Sequence, residues 1–359
     1  MEWDFNVIWY IIVGVLLVGY AILDGFDFGV GILHLFTKND HDRRIMLNSI
    51  GPVWDGNEVW LVTAGGALFA AFPEVYATAF SGFYLAFMLL LFSLIFRAVS
   101  IEFRSKEENK KWRQFWDVSF SAGSLLASFL FGVAIGNAVI GMNIGADLEY
   151  QGTFLALLNP YSLLCGVFTV TMFALQGSVY LNIKTEGELQ KQVLGWFKVI
   201  FPVFVVLFLI LTGITVMQRP EMLANFSFGK IKSLASHSLI AHYSTEISIV
   251  AWLVVSLNVL SIANIPRAIA KGKPYFAFFS SSCTIAALVS LFALGIFPNM
   301  LISSANPDFS LNIYNGSSSQ YTLRTMFFIA IWGMPFVIAY TSLIYWTYRG
   351  KTVLNEHSY

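Results

Sequence analysis

Two acidic stretches stand inside hydrophobic runs of this chain: Asp24-Gly25-Phe26-Asp27 and Trp54-Asp55-Gly56-Asn57-Glu58-Val59-Trp60. We interpret the two runs as the first two membrane spans. Within each stretch the two acids are three residues apart, so they share one face of a helix. Either these acids lie at wet helix ends, or they belong to a buried route for protons or ions. The route is favoured, because a carboxylate at the bilayer centre costs about 2.5–3.5 kcal/mol and is rarely kept without a function.

The composition is that of a helical membrane protein. Hydrophobic residues make up 57% of the chain and charged residues 12%, whereas soluble domains have about 25% charged residues. The apolar runs last about twenty residues, as spanning helices require, and lack the shorter alternating pattern of barrel strands. The net charge is zero, so nothing indicates a nucleic-acid partner.

We predict an all-α, polytopic protein that forms one integral membrane domain over residues 1–359, with a short tail at 349–359. Nine spans fit the hydropathy: 7–35, 50–72, 76–97, 118–142, 160–182, 197–217, 246–266, 275–298 and 324–347. The N-terminus carries Glu2 and Asp4 where a cleavable signal needs positive charge, so the first span is expected to stay in the protein.

Basic residues are distributed unequally between the two sets of loops. Seventeen of the 21 lysines and arginines fall on the side of the tail, and Arg97 and Arg104 are counted there as loop residues. The other four are Arg219, Lys230, Lys232 and Arg324. By the positive-inside rule, the N-terminus lies outside and the C-terminus lies in the cytoplasm. Long outer loops fall near 143–159, 218–245 and 299–323; the last, rich in Ser and Asn, is either ordered, covered by a partner, or floppy.

This orientation places the four acids in the cytoplasmic half of the membrane. At 1.5 Å per residue, Asp24 and Asp27 lie about 25–30 Å along the inward-running first span. Asp55 and Glu58 lie roughly 8–12 Å into the second. We expect the four to form a ladder of carboxyl groups that takes up protons from the cytoplasm. Of the four, Asp27 is the one expected to be merely an interfacial polar residue.

Glycines at helical spacing indicate close packing of helices within lipid. They are Gly25, Gly29 and Gly31 in the first span, Gly65 and Gly66 in the second, and Gly132 and Gly136 in the fourth. We expect a close helix contact at each of them.

Residues that could ligate a haem or a redox metal are poorly placed for it, since such sites need His, Cys or Met at matched depth. The five histidines fall at span ends, in loops or in the tail: His34, His41, His237, His242 and His357. Cys165 and Cys283 stand alone in apolar spans and are expected to be packing residues. We therefore expect no metal site and no catalytic residue here, and any redox cofactor would belong to another subunit.

Several motif runs follow one another along the chain. They are Leu23-Asp24-Gly25-Phe26-Asp27-Phe28-Gly29-Val30-Gly31, residues 43–50, 54–61, 63–71, 79–84, 96–106 and 131–137, Leu158-Asn159-Pro160, residues 176–189, and Ser318-Ser319-Gln320-Tyr321-Thr322-Leu323. In this order and at this spacing, the runs resemble subunit II of the cytochrome bd quinol oxidases. The resemblance covers essentially the whole chain, and it is most specific over the first hundred residues.

The resemblance implies two four-helix bundles, near 1–145 and 146–348, the second including one extra helix. It also implies a partner, subunit I, that carries haems b and d and the quinol site. The bacterial inner-membrane complex would oxidise quinol, reduce dioxygen to water and take protons from the cytoplasm. In that family, subunit II lends acids at the positions of Asp24 and Asp55 to the proton pathway. Glu58 stands where the family often has Gln, so its role does not carry over.

Two further components are left open by the sequence. One is a structural quinone, which some members of the family hold in subunit II. The other is a small single-span accessory subunit.

Two other functions also fit at this point. A stand-alone proton-coupled transporter would often show matched features in both halves of the chain. The acidic pair of the first half is not repeated in the second half, where Glu246, at the outer start of the seventh span, has no charged companion nearby. The second of these functions is that of a scaffold with no role in proton transfer.

Overall fold

The computed structural model describes residues 3–227 and 244–354. The predictions about most of the outer loop at 218–245, and those about Lys230, Lys232, His237, His242 and His357, lie outside the described residues. Over the described ranges the chain is mainly helical, as predicted. The helices are α1 (Phe5–His34), α2 (Asp40–Ile50), α3 (Trp54–Ala71), α4 (Pro73–Gly82), α5 (Tyr84–Phe103), α6 (Lys110–Ile140), α7 (Pro160–Lys184), α8 (Gly187–Gln218), α9 (Ser244–Ala270), α10 (Pro274–Ile296) and α11 (Gln320–Thr347).

Short elements complete the described part of the chain. They are 3₁₀ turns at Arg104–Lys106, Phe154–Leu157, Pro220–Phe226 and Pro307–Phe309, and the strands β1 (Asn299–Leu301) and β2 (Leu311–Asn312). The two strands are antiparallel, with Asn299 opposite Asn312 and Leu301 opposite Leu311.

Local sequence sets where several of the helices begin. The side chain of Asp4 accepts hydrogen bonds from the backbone N–H groups of Asn6 and Val7 at the start of α1. Asn159 accepts one from Ser162 at the start of α7, where Pro160 occupies the first helical position. Both arrangements satisfy N–H groups that have no partner inside the helix.

Eight of the described helices are long and apolar enough to cross a membrane: α1 and α5 to α11. The remaining predicted span, 50–72, corresponds to α3, whose 18 residues include Asp55, Asn57 and Glu58. This helix runs antiparallel to α1, because Asn57 near its start bonds to Asp27, while Ala71 at its end shares a hydrophobic cluster with Val13. The count of nine spans stays a prediction.

The helices of the third, fourth and sixth predicted spans differ in their bounds from the prediction. The third was expected at 76–97, but residues 73–82 form the separate short helix α4, and α5 then continues to Phe103. The fourth was expected to begin at residue 118, but α6 begins at Lys110. The sixth was expected at 197–217, but α8 begins at Gly187. Pro73 at the first position of α4 stops α3, since proline cannot continue a helix from that point.

The centre of the fold is the crossing of α1 and α7 at two glycines. A Cβ added to Gly29 would meet Phe173 O and the Cα of Gly177, and one added to Gly177 would meet the backbone of Gly29. Only glycine permits two helix backbones to approach this closely. These two helices belong to different predicted bundles, and the division at residue 145 stays a prediction.

Most of the glycine predictions are confirmed. An added Cβ would meet Phe173 at Gly25, Ser124 at Gly31, the backbone of Cys165 and Gly166 at Gly132, and Ser162 at Gly136. At Gly65 and Gly66 no heavy atom of the described residues outside their own helix turn lies within 4 Å of an added Cβ, so the close contact there stays a prediction. These two glycines lie on a part of α3 that no described helix covers.

The last outer loop is ordered by its own contacts with α1. The amide of Asn6 donates to the carbonyl oxygen of Ile313 and to Ser317 Oγ, both at 2.6 Å. Trp9 Nε1 donates to the carbonyl oxygen of Leu323 at 2.8 Å. Of the alternatives that composition left open, the ordered loop is the one observed.

Candidate functional site

The centre of the candidate site is Arg97, a residue of α5 whose side chain is fully buried. The sequence analysis counted it in a cytoplasmic loop, which is wrong, because α5 continues for almost two turns beyond it. The Phe28 ring faces its guanidinium group, with Cζ 4.2 Å from the ring centroid. Such a contact is favourable for a cation that has left water.

Three of the four predicted acids converge on this guanidinium group. Asp24 binds it at two points, with Nη2 to Oδ1 at 2.5 Å and Nη1 to Oδ2 at 3.2 Å. Glu58 Oε1 accepts from Nη1 at 2.8 Å. Asp27 Oδ2 lies 3.9 Å from Nη2. One cation therefore faces three carboxyl groups, and because unbalanced buried charge is costly, this arrangement favours the binding of protons by the acids.

Asn57 and Tyr345 hold Asp27 in place. The Asn57 amide donates to Asp27 Oδ2 at 2.7 Å and to the carbonyl oxygen of Leu23 at 3.3 Å. Tyr345 OH, from α11, donates to Asn57 Oδ1 at 2.8 Å. The last helix is thereby connected to the acids of the first, a connection that the sequence analysis missed.

The exposure of the four acids falls along the series from α3 to α1. Asp55, in the first turn of α3, is exposed, the Glu58 side chain is 25% exposed, and Asp24 and Asp27 are completely buried. The wet-end interpretation is therefore wrong for Asp24 and Asp27. It fits only Asp55, which is also the one acid of the four that makes no ion pair with Arg97.

The expectation that Asp27 is merely interfacial is also wrong. The chain turns back after α1, and α2 covers the end of α1 that is predicted to be cytoplasmic. Leu33 of α1 packs there in one hydrophobic cluster with Met46 and Ile50 of α2. The cover removes Asp27 from the interface, although it lies only two turns before the end of its helix.

A second buried polar cluster lies nearer the predicted cytoplasmic surface. Asp117 of α6 is bonded by His34 Nε2 and Arg104 Nε, both at 2.5 Å, and by Arg43 Nη1 at 2.8 Å. Arg104 also binds Asp40 Oδ1 at 2.7 Å. The sequence analysis placed Arg104 in a loop, which is wrong for its side chain: it is 2% exposed. The signal that could have found it is its spacing of seven residues from Arg97 on one helix face.

The described residues were also compared with the needs of a metal or haem site. They contain no group of three or more His, Cys, Asp or Glu side chains that could hold a metal ion. His34 Nε2 is already bound to Asp117, and His41 lies at the surface beside Asp42. The described residues therefore offer no complete set of ligands for a metal ion.

An apolar cavity of about 360 Å³ lies between α6, α7, α8 and α10. Its lining includes Cys165, Phe208 and Phe292. Tyr161 and Thr215 supply a hydrogen-bonded pair of hydroxyl groups, 2.7 Å apart, in its wall. Cys165 is buried there against apolar neighbours, in line with the packing role predicted for it.

The comparison with known families is decisive. A family model for cytochrome bd terminal oxidase subunit II matches residues 5–348. The chain belongs to this family. It is therefore a subunit of a bd-type terminal oxidase, a multi-pass oxidoreductase of the bacterial inner membrane, and haem belongs to that oxidase complex.

Two relatives match the sequence of this chain over nearly their full length. Cytochrome bd-I ubiquinol oxidase subunit 2 of Escherichia coli K12 is 40% identical over 363 residues, covering 96% of this chain and 94% of the relative. Cytochrome bd ubiquinol oxidase subunit 2 of Bacillus subtilis 168 is 34% identical, with 97% of each chain covered.

A solved structure supports the fold. A chain of the bd oxidase from Geobacillus thermodenitrificans superposes with a TM-score of 0.75 at 15% identity, covering 95% of this chain and 97% of that chain. At this identity the likeness bears on the fold alone.

Proposed function

We propose that this chain acts as subunit II of a quinol:dioxygen oxidoreductase. Its partner, subunit I, carries haems b and d and the quinol site, and the complex reduces dioxygen to water with protons from the cytoplasm. Within this complex the chain stabilises subunit I and lends it a proton pathway. The single observation that carries the pathway is the convergence of Asp24, Asp27 and Glu58 on the buried Arg97.

The proposed pathway runs from α3 to α1. Asp55, exposed in the first turn of α3, takes up a proton, and Glu58 lies one turn further along the same face. Glu58 and Asp24 both bind Arg97. A proton that leaves a Glu58 oxygen can therefore bind an Asp24 oxygen, after which Glu58 is the carboxylate that pairs with the guanidinium group. Asp24 then holds the proton at the buried end, from which it continues toward subunit I.

The geometry also bears on the two alternatives. A transporter needs a site that is reached from both sides of the membrane. Among the described residues, the acid cluster is exposed through the 25% exposed Glu58, at the end of α3 that is predicted to be cytoplasmic. A scaffold would need only one acid to balance the charge of the buried arginine, whereas here three acids surround one arginine. Both observations favour a proton route within a larger complex.

The test is oxygen consumption by the purified complex with Asp55→Asn and, separately, Asp24→Asn. We expect normal haem content and oxygen consumption lowered by about tenfold or more, in the range that general acid–base groups contribute. Glu188→Gln, which changes an acid that is 87% exposed on α8, is the matched control and should be normal.

Two results would contradict the proposed pathway. Normal turnover in both variants would exclude these acids from proton delivery. Loss of haem or of the complex, in place of slow turnover by an intact complex, would support the scaffold.

A structural quinone, which the sequence left open, is part of the proposal. The cavity beside Tyr161 and Thr215 offers apolar walls for the ring and tail, with two hydroxyl groups that can face a quinone oxygen. Extraction of the purified complex should yield quinone, and Thr169→Trp, which fills the cavity, should lower the yield. Equal yields would remove the quinone from this cavity.

A small single-span accessory subunit should appear, if present, as an extra band in the same preparation.

A further inference from the structure

Three helices present polar residues to one buried seam, on the side of Arg97 away from Asp55. On α1 these are Asp27, Gly31 and His34. On α5 and the 3₁₀ turn after it they are Arg97, Ser100 and Arg104. On α6 they are Asp117, Ser121 and Ser124. All nine are buried, and the alternating spacing of three and four residues places each set on one helix face. We call this set the α1–α5–α6 seam.

Direct contacts hold the seam together along its length. Ser121 Oγ donates to the carbonyl oxygen of Gly31 at 2.6 Å. A Cβ added to Gly31 would meet the Ser124 hydroxyl. The two ends are the Arg97 cluster and the Asp117 cluster, seven residues apart on both α1 and α5, which is about 10.5 Å along a helix.

The seam reaches the surface at the Asp117 end. Arg104 connects Asp117 to Asp40, whose side chain is 48% exposed, and the Arg43 side chain on Asp117 is 21% exposed. At the other end the side chains of Arg97 and Asp27 are completely buried. The seam therefore runs from a partly exposed end to the buried acids and includes no residue of α3.

Five seam residues keep a buried polar atom without a hydrogen-bond partner among the described residues. The atoms are Asp27 Oδ1, His34 Nδ1, Arg97 Nε, Arg104 Nη1 and Ser124 Oγ. Buried polar groups are nearly always paired with protein or with ordered water, and a buried water typically binds about three polar groups. Five such atoms in one seam are more than helix packing through small residues explains.

We propose that the α1–α5–α6 seam binds a file of internal water molecules, and that this file forms a second proton inlet to Asp27, parallel to Asp55 and Glu58. The role of the inlet rests on the proposed function, whereas the binding of water does not. Water is then the ligand of the five unpaired atoms.

His34 is the proton-carrying side chain of this inlet. Its Nε2 stays bonded to Asp117, so a proton arriving from the surface forms its new N–H bond at Nδ1. That bond breaks when the proton passes to water in the seam, which returns the imidazole to neutral and leads the proton to Asp27 Oδ1. The charged groups that face His34 are Asp117, Arg104 and Arg43. Asp40 binds Arg104 and also Arg113, so the carboxylates of Asp117 and Asp40 face three guanidinium groups in this cluster.

The first experiment tests the water without reference to turnover. The intact complex in mild detergent is exposed to a short X-ray pulse in ¹⁸O water, so that hydroxyl radicals formed from bound water label adjacent side chains. His34 should be labelled well above Tyr180, a buried ring whose hydroxyl is already bonded to the carbonyl oxygen of Ser49 at 2.6 Å. Labelling of His34 at the level of Tyr180 would mean that the seam is dry and would overturn the proposal.

The second experiment tests the parallel inlet with His34→Gln, which keeps a donor for Asp117 but cannot carry a proton. Alone it should lower oxygen consumption by less than about twofold, because the Asp55 route remains. Combined with Asp55→Asn it should lower turnover about tenfold below Asp55→Asn itself. An equal, small effect in both backgrounds, with normal haem content, would overturn the second inlet.

Ser124→Ala, which leaves every contact of Asp117 in place, is the second variant in case His34→Gln fails to assemble, and the same result is expected of it in the Asp55→Asn background. Its matched control is Ser162→Ala, a buried and unpaired hydroxyl outside the seam, which should have no effect in either background. If Asp55→Asn and Asp24→Asn both turn over normally while His34 is labelled, the proposed function fails and the seam water stands.

Discussion

Arg97 and Asp24 form a two-point ion pair in which neither side chain is exposed to solvent. The guanidinium fork matches the two carboxylate oxygens, with contacts of 2.5 Å and 3.2 Å. A planar pairing of this kind fixes orientation as well as distance. The pair therefore ties α5 to α1 at the level where the other two acids gather.

Replacement of Arg97 by Gln should destabilise the protein severely. Removing one partner of a buried ion pair leaves an uncompensated charge and typically costs about 3–5 kcal/mol. We expect little or no assembled complex, measured as haem-containing protein recovered after detergent extraction. Arg113→Gln is the control, since Arg113 pairs with the half-exposed Asp40 and such pairs contribute about 1 kcal/mol or less. Equal recovery of both variants would contradict the structural role of Arg97.

Asn57→Ala should cost stability through two hydrogen bonds at once. It leaves Asp27 Oδ2 without its amide donor and Tyr345 OH without its acceptor, and each unsatisfied buried group costs about 1–3 kcal/mol. Tyr345→Phe removes only one of these bonds and should cost less. In thermal unfolding of the complex, the double variant should be less destabilised than the sum of the two, because both changes remove the same bond. Strict additivity would show that Tyr345 does not act through Asn57.

Gly29→Ala should separate α1 from α7. The added methyl group would collide with the backbone at Gly177, and overpacking of this kind typically costs about 1–3 kcal/mol. Gly14→Ala on the same helix is the control, because no heavy atom of the described residues lies within 4 Å of its added Cβ. The expected result is a lower unfolding temperature for Gly29→Ala alone; equal values for both variants would argue against the crossing.

Asn6→Ala should release the ordered outer loop. Its amide holds Ile313 and Ser317, and Gln320 donates to its side-chain oxygen. Without it, limited proteolysis should cleave residues 299–319 several times faster than in the natural chain. Ser304→Ala, an exposed position in the same loop, should leave the cleavage rate unchanged. A rate for Asn6→Ala no higher than that of Ser304→Ala would show that other contacts hold the loop.

Local spacing predicted the parts of the site that lie on one helix. Asp24 and Asp27 share a face, as their spacing of three residues predicts, and both are completely buried, which for Asp27 was not expected. Their partner could not be predicted, because Arg97 was judged by its distance from the end of an apolar run. That rule predicts that a basic residue is exposed to water, whereas the packing of α5 against α1 places it in contact with the acids.

The predicted bounds of helices were wrong where the helix is interrupted inside a continuous hydrophobic run. Apolar residues continue through Phe83, so hydropathy joins segments that the backbone divides into α4 and α5. The cover over Asp27 was missed for a related reason. The helix α2 is short and polar, so composition alone gives no sign that Met46 and Ile50 fold back onto α1.

The contact between Gly29 and Gly177 also bears on how protons can be controlled. Gly29 stands two residues after Asp27 on α1, so the acids lie beside a point where two helix backbones are in close contact. A gate that worked by moving α1 would have to break that contact. On the proposed pathway, control of proton flow would therefore come from charge and from small side-chain rotations rather than from movement of α1.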